Sequence, residues 1–169
     1  MSSGIPGVMK RDLSLNSDER GRFVEIFRVS QFSDAFSQAN HSRSTEGVLR
    51  GLHYHRNQAD LWYVIKGTIQ VGLADLRQKT DRPRVETHIL DEARPSTLYI
   101  PRGVAHGFLA LTEVDLIYFV TREYDAADEY GVAWNDSTLN VGWRTRTPIL
   151  SKRDQDNPVL QWELIPSFS

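Results

Sequence analysis

The sequence predicts an all-β domain, a barrel or jelly roll with only short helical pieces, and three observations carry that expectation. Short runs rich in β-branched and aromatic residues recur at close spacing. Turn-forming segments such as Asp81-Arg82-Pro83 and Pro101-Arg102-Gly103 separate them. Helical periodicity is weak along the whole chain. Many short strands of this kind fit the closed and double-sheet β architectures.

In chain order, the first strand is expected over 21–28, and residues 29–38 form the first short helical candidate. A strand over 48–55 follows. From Leu61 the run Leu-Trp-Tyr-Val-Ile-Lys-Gly-Thr-Ile-Gln-Val-Gly-Leu-Ala-Asp-Leu reads as two strands joined at Gly67, and hence as a hairpin. Further strands are expected over 85–90, 96–100, 103–111 and 114–121, with a second helical candidate at 126–130. Beyond Tyr130 the chain becomes irregular, with Trp134-Asn135-Asp136 and Trp143 among polar turn residues. The segment 131–169 must therefore pack on the barrel to stay ordered.

Composition bounds the function. With 169 residues, 40% apolar and 25% charged, the chain fits one compact domain over 1–169, without repeat, low-complexity stretch or flexible linker. A formal net charge of −2 gives no overall attraction to nucleic acid or to an anionic membrane, so an anionic ligand needs local arginines. The absence of cysteine excludes disulfides, thiolate nucleophiles and thiolate metal sites, leaving His and carboxylates as metal ligands. No window approaches the roughly twenty apolar residues of a membrane span. The start, MSSGIPGVMKRD, lacks the apolar core of a secretory signal, and a cytoplasmic protein is expected.

The chemistry concentrates in two segments. In Gly51-Leu52-His53-Tyr54-His55 the two histidines share one face of a strand, because side chains alternate with period two. Asp60 and Gly67 follow, and Pro101-Arg102-Gly103-Val104-Ala105-His106 brings a third histidine beside a tight turn. A lone histidine near a strand is often only a satisfied polar residue. Three in this register resemble the paired motifs of the cupin superfamily, whose double-stranded β-helix jelly-roll barrel commonly gathers such residues around a divalent metal. His41 and His88 lack such company and receive no role.

The resemblance then narrows. Glu19 to Glu25, Gln38 to Ser44, Val48 to His53, Ile100 to Phe108, Tyr118 to Tyr124, Glu129, Trp134 to Asp136 and Leu150 to Asp154 follow the order of hallmark segments in the dTDP-4-dehydrorhamnose 3,5-epimerases. Membership implies a homodimer, with N-terminal strands in 1–47 exchanged between subunits, and a nucleotide-linked 4-keto-6-deoxyhexose as substrate. A C4 ketone acidifies the hydrogens on C3 and C5, so a base can remove one and an acid return it from the opposite face without a redox cofactor. By resemblance His53 is the general base, Asp154 its orienting partner and Tyr118 the acid. Arg20, Glu25, Gln38, Asn40, Arg50, His106, Glu129 and Arg153 match positions near the nucleotide-sugar, and Tyr124 matches one that stacks on the base.

One departure stands out. The family's usual Gln-x-Lys triplet, whose lysine steadies the enolate oxygen, is replaced by Gln58-Ala59-Asp60, and His55 stands where a Gln is common. A carboxylate repels a forming enolate where an ammonium attracts it, a difference of several kcal/mol in barrier. His53, His55, Asp60 and His106 together could instead hold a divalent metal that restores the positive charge; a salt bridge or hydrogen bond from Asp60 to His55 or Arg56 is the plainer alternative. A nitrogen of His53 bound to metal could not also be the free base, so the two mechanisms exclude one another. Two other readings stay open: a metal-dependent cupin isomerase or oxygenase, and a sugar-binding cupin without catalysis.

Overall fold

Strand pairing in the computed structural model, which describes residues 4–168, sorts most of the chain into two facing sheets. The strands are β1 (Met9–Asp12), β2 (Leu15–Asp18), β3 (Gly21–Val24), β4 (Gln38–Ser44), β5 (Leu49–Tyr54), β6 (Asp60–Lys66), β7 (Thr68–Asp75), β8 (Val85–Asp91), β9 (Ser96–Ile100), β10 (Val104–Ala110), β11 (Val114–Val120) and β12 (Tyr130–Gly131). A single α-helix among the described residues, α1 (Lys152–Asp156), comes near the end. One sheet has the order β1-β9-β6-β11-β4 and the other β12-β5-β10-β7-β8, while β2 and β3 pair only with each other. All named pairings are antiparallel. This is the expected all-β jelly-roll barrel with few short helices. The outermost residues of the single-domain expectation, 1–3 and 169, lie outside the described part. No helix among the described residues is long and apolar enough to cross a membrane.

Period-two alternation explains the core. On β10, Val104, Phe108 and Ala110 face the space between the sheets, whereas Ala105 faces outward. On β7, Ile69, Val71 and Leu73 face in, while Ala74 faces out with Gly72. Opposite them stand Trp62, Val64, Leu98, Ile100, Val114 and Leu116 of the other sheet. The outward face is covered too: Val132, Leu139, Val141, Trp143 and Trp162 of the C-terminal segment lie on it. With both faces covered, every residue of β10 is buried. A side chain at Gly72 would sit 2.6 Å from Trp143, so glycine there lets the segment lie close.

Four expectations need correction. Gly67 does not close a hairpin: β6 pairs with β9 and β11, β7 pairs with β8 and β10, and Gly67 at φ +83° turns the chain from one sheet to the other. Residues 29–38 form only a 3-10 turn at Val29–Gln31, and Gln38 already opens β4. Residues 126–130 likewise give one 3-10 turn, Ala126–Asp128, before β12. The strand expected over 21–28 stops at Val24.

Candidate active site

A cavity of ≈ 210 Å³ opens between the two sheets, lined among others by Arg50, His53, His55, Asp60, His106 and Tyr118. β5 and β10 build one wall. His106 pairs with His53, yet Phe108 pairs with Arg50, so β5 carries one residue more than β10 over this stretch. That bulge brings Arg50 to the cavity together with His53 and His55, although simple alternation would send Arg50 and His53 to opposite faces. The strands also approach closely here: a Cβ on Gly51 would fall 2.6 Å from the Cα of Gly107.

His53 and Asp154 form a tight pair, Nε2 to Oδ1 at 2.6 Å. A carboxylate only accepts, so Nε2–H donates and the lone pair of the neutral ring lies on Nδ1. Asp154 is placed by the start of α1, where Ser151 caps the helix: the Asp154 amide donates to Ser151 Oγ at 3.1 Å, and Oγ–H donates to Asp154 Oδ2 at 2.9 Å. Burial works against ionisation of Asp154, but hydrogen bonds from His53, Ser151 and the Gly51 amide outweigh it. The carboxyl is held below its ordinary value. Tyr118, on β11, lines the same cavity. Burial first and the Asp60 carboxylate second push its phenol above the ordinary value, against the pull of Arg50, so it is protonated at neutral pH.

A second cluster comprises His55, Asp60 and His106, all buried, with one ligand atom from each within 4.8 Å of the others. Nδ1–H of His55 donates to the carbonyl of Asp128 at 2.8 Å, and Nδ1–H of His106 to the carbonyl of Val104 at 2.9 Å. Asp60 accepts from Gln58 Nε2 at 2.8 Å and from Trp62 Nε1 at 3.1 Å. Burial pushes the His106 imidazole below its ordinary value, against the attraction of Asp60, so the ring is neutral. The set of four anticipated from the sequence thus divides, because His53 is engaged with Asp154 and is not in this group. The salt bridge or hydrogen bond considered for Asp60 with His55 or Arg56 does not form either. His106 Nε2 is its nearest imidazole nitrogen, at 3.8 Å, beyond hydrogen-bond reach.

Glu129 and Arg153 line the cavity and are paired with each other. The remaining nominated residues lie elsewhere. Arg20 is exposed in the β2–β3 turn, bonded to Asp18 at 2.5 Å, and Glu25 is exposed and paired with Arg28 at 2.6 Å. Gln38 donates to Asn40 at 2.7 Å and accepts from the Tyr124 amide at 2.9 Å, and Tyr124 is 66% exposed. None of these five lines the cavity.

Sequence reasoning missed three supporting residues. Gln58 and Trp62 flank Asp60 at two-residue spacing, and period two could have placed them on its face. Asp128 had no such signal: its buried carboxylate accepts from the amides of Arg56 at 2.7 Å and Asn57 at 2.9 Å while its carbonyl orients His55.

Fold and cavity together define a cupin barrel whose interior carries an imidazole–carboxylate pair and a protonated phenol. Known proteins agree. The family model described as dTDP-4-dehydrorhamnose 3,5-epimerase matches residues 2–161, and the chain belongs to that family. The spore coat polysaccharide biosynthesis protein SpsL of Bacillus subtilis is 40% identical over 147 residues, covering 83% of this chain and 97% of that protein. The dTDP-4-dehydrorhamnose 3,5-epimerase of Shigella flexneri is 34% identical over 161 residues, 89% of each chain. Among solved structures, that of the Legionella pneumophila epimerase in complex with dTDP-4-keto-L-rhamnose has a TM-score of 0.89 at 29% identity, covering 100% of this chain and 97% of that one. The Bacillus anthracis epimerase with TDP and PPi bound gives 0.85 at 33% identity, covering 91% and 94%.

Proposed function

We propose that the protein epimerises a nucleotide-diphosphate-linked 4-keto-6-deoxyhexose at C3, C5 or both, in deoxysugar biosynthesis. The observation that carries this reading is the 2.6 Å His53–Asp154 pair in a cavity that also holds Tyr118. The carboxylate holds the imidazole in one tautomer and stabilises the imidazolium that forms when Nδ1 takes a proton from carbon. Tyr118 returns a proton to the opposite face. Arg50 and Arg153 offer guanidinium forks suited to a diphosphate, with Arg153 exchanging Glu129 for the ligand. Proton removal and return need no redox cofactor.

For the nucleotide, Gln38, Asn40 and Tyr124 form a connected polar and aromatic surface. Arg20 and Glu25 belong to this reading only in a homodimer. Among the described residues the hairpin of β2 and β3 forms no ladder with another strand and leaves Phe23 67% exposed, which supports docking on a second copy. A binding-only cupin would have no need of the imidazole–carboxylate pair. Incubation with dTDP-4-keto-6-deoxyglucose in heavy water should place deuterium at C3 or C5. No incorporation with this or other nucleotide forms of the ketosugar would overturn the proposal.

A further inference from the structure

We propose that His55, Asp60 and His106 form a binding site for one divalent first-row transition-metal ion, distinct in its ligands from the His53–Asp154 pair. Three observations converge on it. Both imidazoles spend Nδ1–H on a backbone carbonyl, at 2.8 Å for His55 and 2.9 Å for His106, which leaves Nε2 of each ring as the nitrogen free to ligate. Carbonyl acceptors of this kind on the far nitrogen are what orient metal-ligating histidines. Asp60, 3% exposed, is fixed by Gln58 and Trp62, one donor to each oxygen, which leaves further lone pairs on both oxygens for another partner.

The three groups therefore place acceptors against acceptors. His106 Nε2 and Asp60 Oδ2 stand 3.8 Å apart, too far for a hydrogen bond, and one ligand atom from each of the three residues lies within 4.8 Å of the others. Converging lone pairs in a buried place call for a hydrogen-bond donor or a positive centre among them, and a cation can engage all three at once. Two nitrogens and one carboxylate oxygen suit a divalent transition ion and leave coordination positions open toward the cavity. When bound, such an ion supplies positive charge in a cavity whose Asp60 stands where the family's lysine would be. That role rests on the epimerase reading; the binding itself does not.

The test uses tag-free, full-length protein, dialysed against chelator and then titrated with Co²⁺ or Zn²⁺ alone. One Co²⁺ per chain should bind with visible d–d absorption, and Zn²⁺ should displace it. Asp60→Asn, which keeps the size of the side chain, and His106→Gln should each weaken binding by more than about 100-fold. His53→Asn should leave binding unchanged while abolishing deuterium exchange into the ketosugar. Circular dichroism and thermal melts establish whether the variants fold. Should either fail, wild-type protein answers alone: Mn²⁺ should broaden the ring resonances of His55 and His106 before those of His41 and His88. No binding up to about 1 mM metal, a range far weaker than any resident site, would overturn the inference. Binding unaffected by Asp60→Asn, or broadening that begins at His41 or His88, would overturn it as well. Deuterium exchange in a protein that fails to bind metal would leave the epimerase reading standing without this site.

Discussion

The cavity contains two histidine–aspartate clusters that share residue types and differ in what the second imidazole nitrogen meets. In His53 one nitrogen donates to a carboxylate at 2.6 Å, so the ring is oriented and its protonated form stabilised. In His55 and His106 one nitrogen donates to a backbone carbonyl, which fixes the tautomer and contributes no full charge. Asp154 has three donors around it, from His53, Ser151 and Gly51, whereas Asp60 faces His106 Nε2 at 3.8 Å, beyond hydrogen-bond reach. On the two readings proposed above, the first arrangement moves a proton and the second holds a cation. Partner identity, more than the presence of His and Asp, separates the two roles.

The sharpest way to break this comparison is His53→Asn. Loss of a positioned base should lower epimerisation by about 10³-fold, read as deuterium uptake per turnover, without a matching fall in melting temperature. A fall of less than about 10-fold would move the base elsewhere, most directly to the second cluster. Tyr118→Phe should cost about 10²-fold in inversion and leave a larger share of exchange, because the base still removes the proton while its return from the opposite face is impaired. Equal losses of exchange and inversion would deny the phenol that separate task. Smaller in free energy, Asp128→Ala removes the acceptor of two amides and should destabilise the fold by about 2–3 kcal/mol in chemical denaturation. Because the carbonyl that orients His55 is main chain, the variant separates the turn's stability from the second cluster's chemistry.

How much of this could be read in advance follows from which features are local. Three histidines and Asp60 were visible through period two and the Pro101-Arg102-Gly103 turn, and the structure brings all four to one cavity. The pairing of His53 with Asp154 came from the resemblance and not from local pattern, since Asp154 arrives from α1, and nothing in the sequence pointed to Asp128, which arrives from a distant turn. Arg50 reaches the cavity through a bulge that exists only in the register between β5 and β10. For the fold, strand positions followed from composition but pairing did not: nothing within β6 and β7 tells that they join different sheets, and Gly67 is required by Glu113, whose carbonyl would stand 2.1 Å from a Cβ there. The helical candidate over 29–38 rested on weak periodicity, and Phe32 and Phe36 within it have another use. Those rings instead pack with Phe27, which also stacks on Phe119, in an aromatic cluster that satisfies them without a helix. The mainly polar β4 became a strand because β11 offered it a ladder, a purely tertiary cause.

The smallest expected effect tests the electrostatics of the first cluster. The Asp154 carboxyl titrates below its unfolded value, so its contribution to stability is fully present above about pH 4 and is lost as pH falls through the lowered folded value. Asp154→Asn lacks that contribution at every pH. Thermal melts of the two proteins should therefore differ most near neutrality, and the gap should close as the solution is acidified below about pH 4. A gap that stayed constant into strong acid would mean that Asp154 contributes by shape and neutral hydrogen bonding alone. The ionised carboxylate required to stabilise a His53 imidazolium would then be missing from the resting protein, and the proton-transfer role assigned to the pair would lose its physical basis.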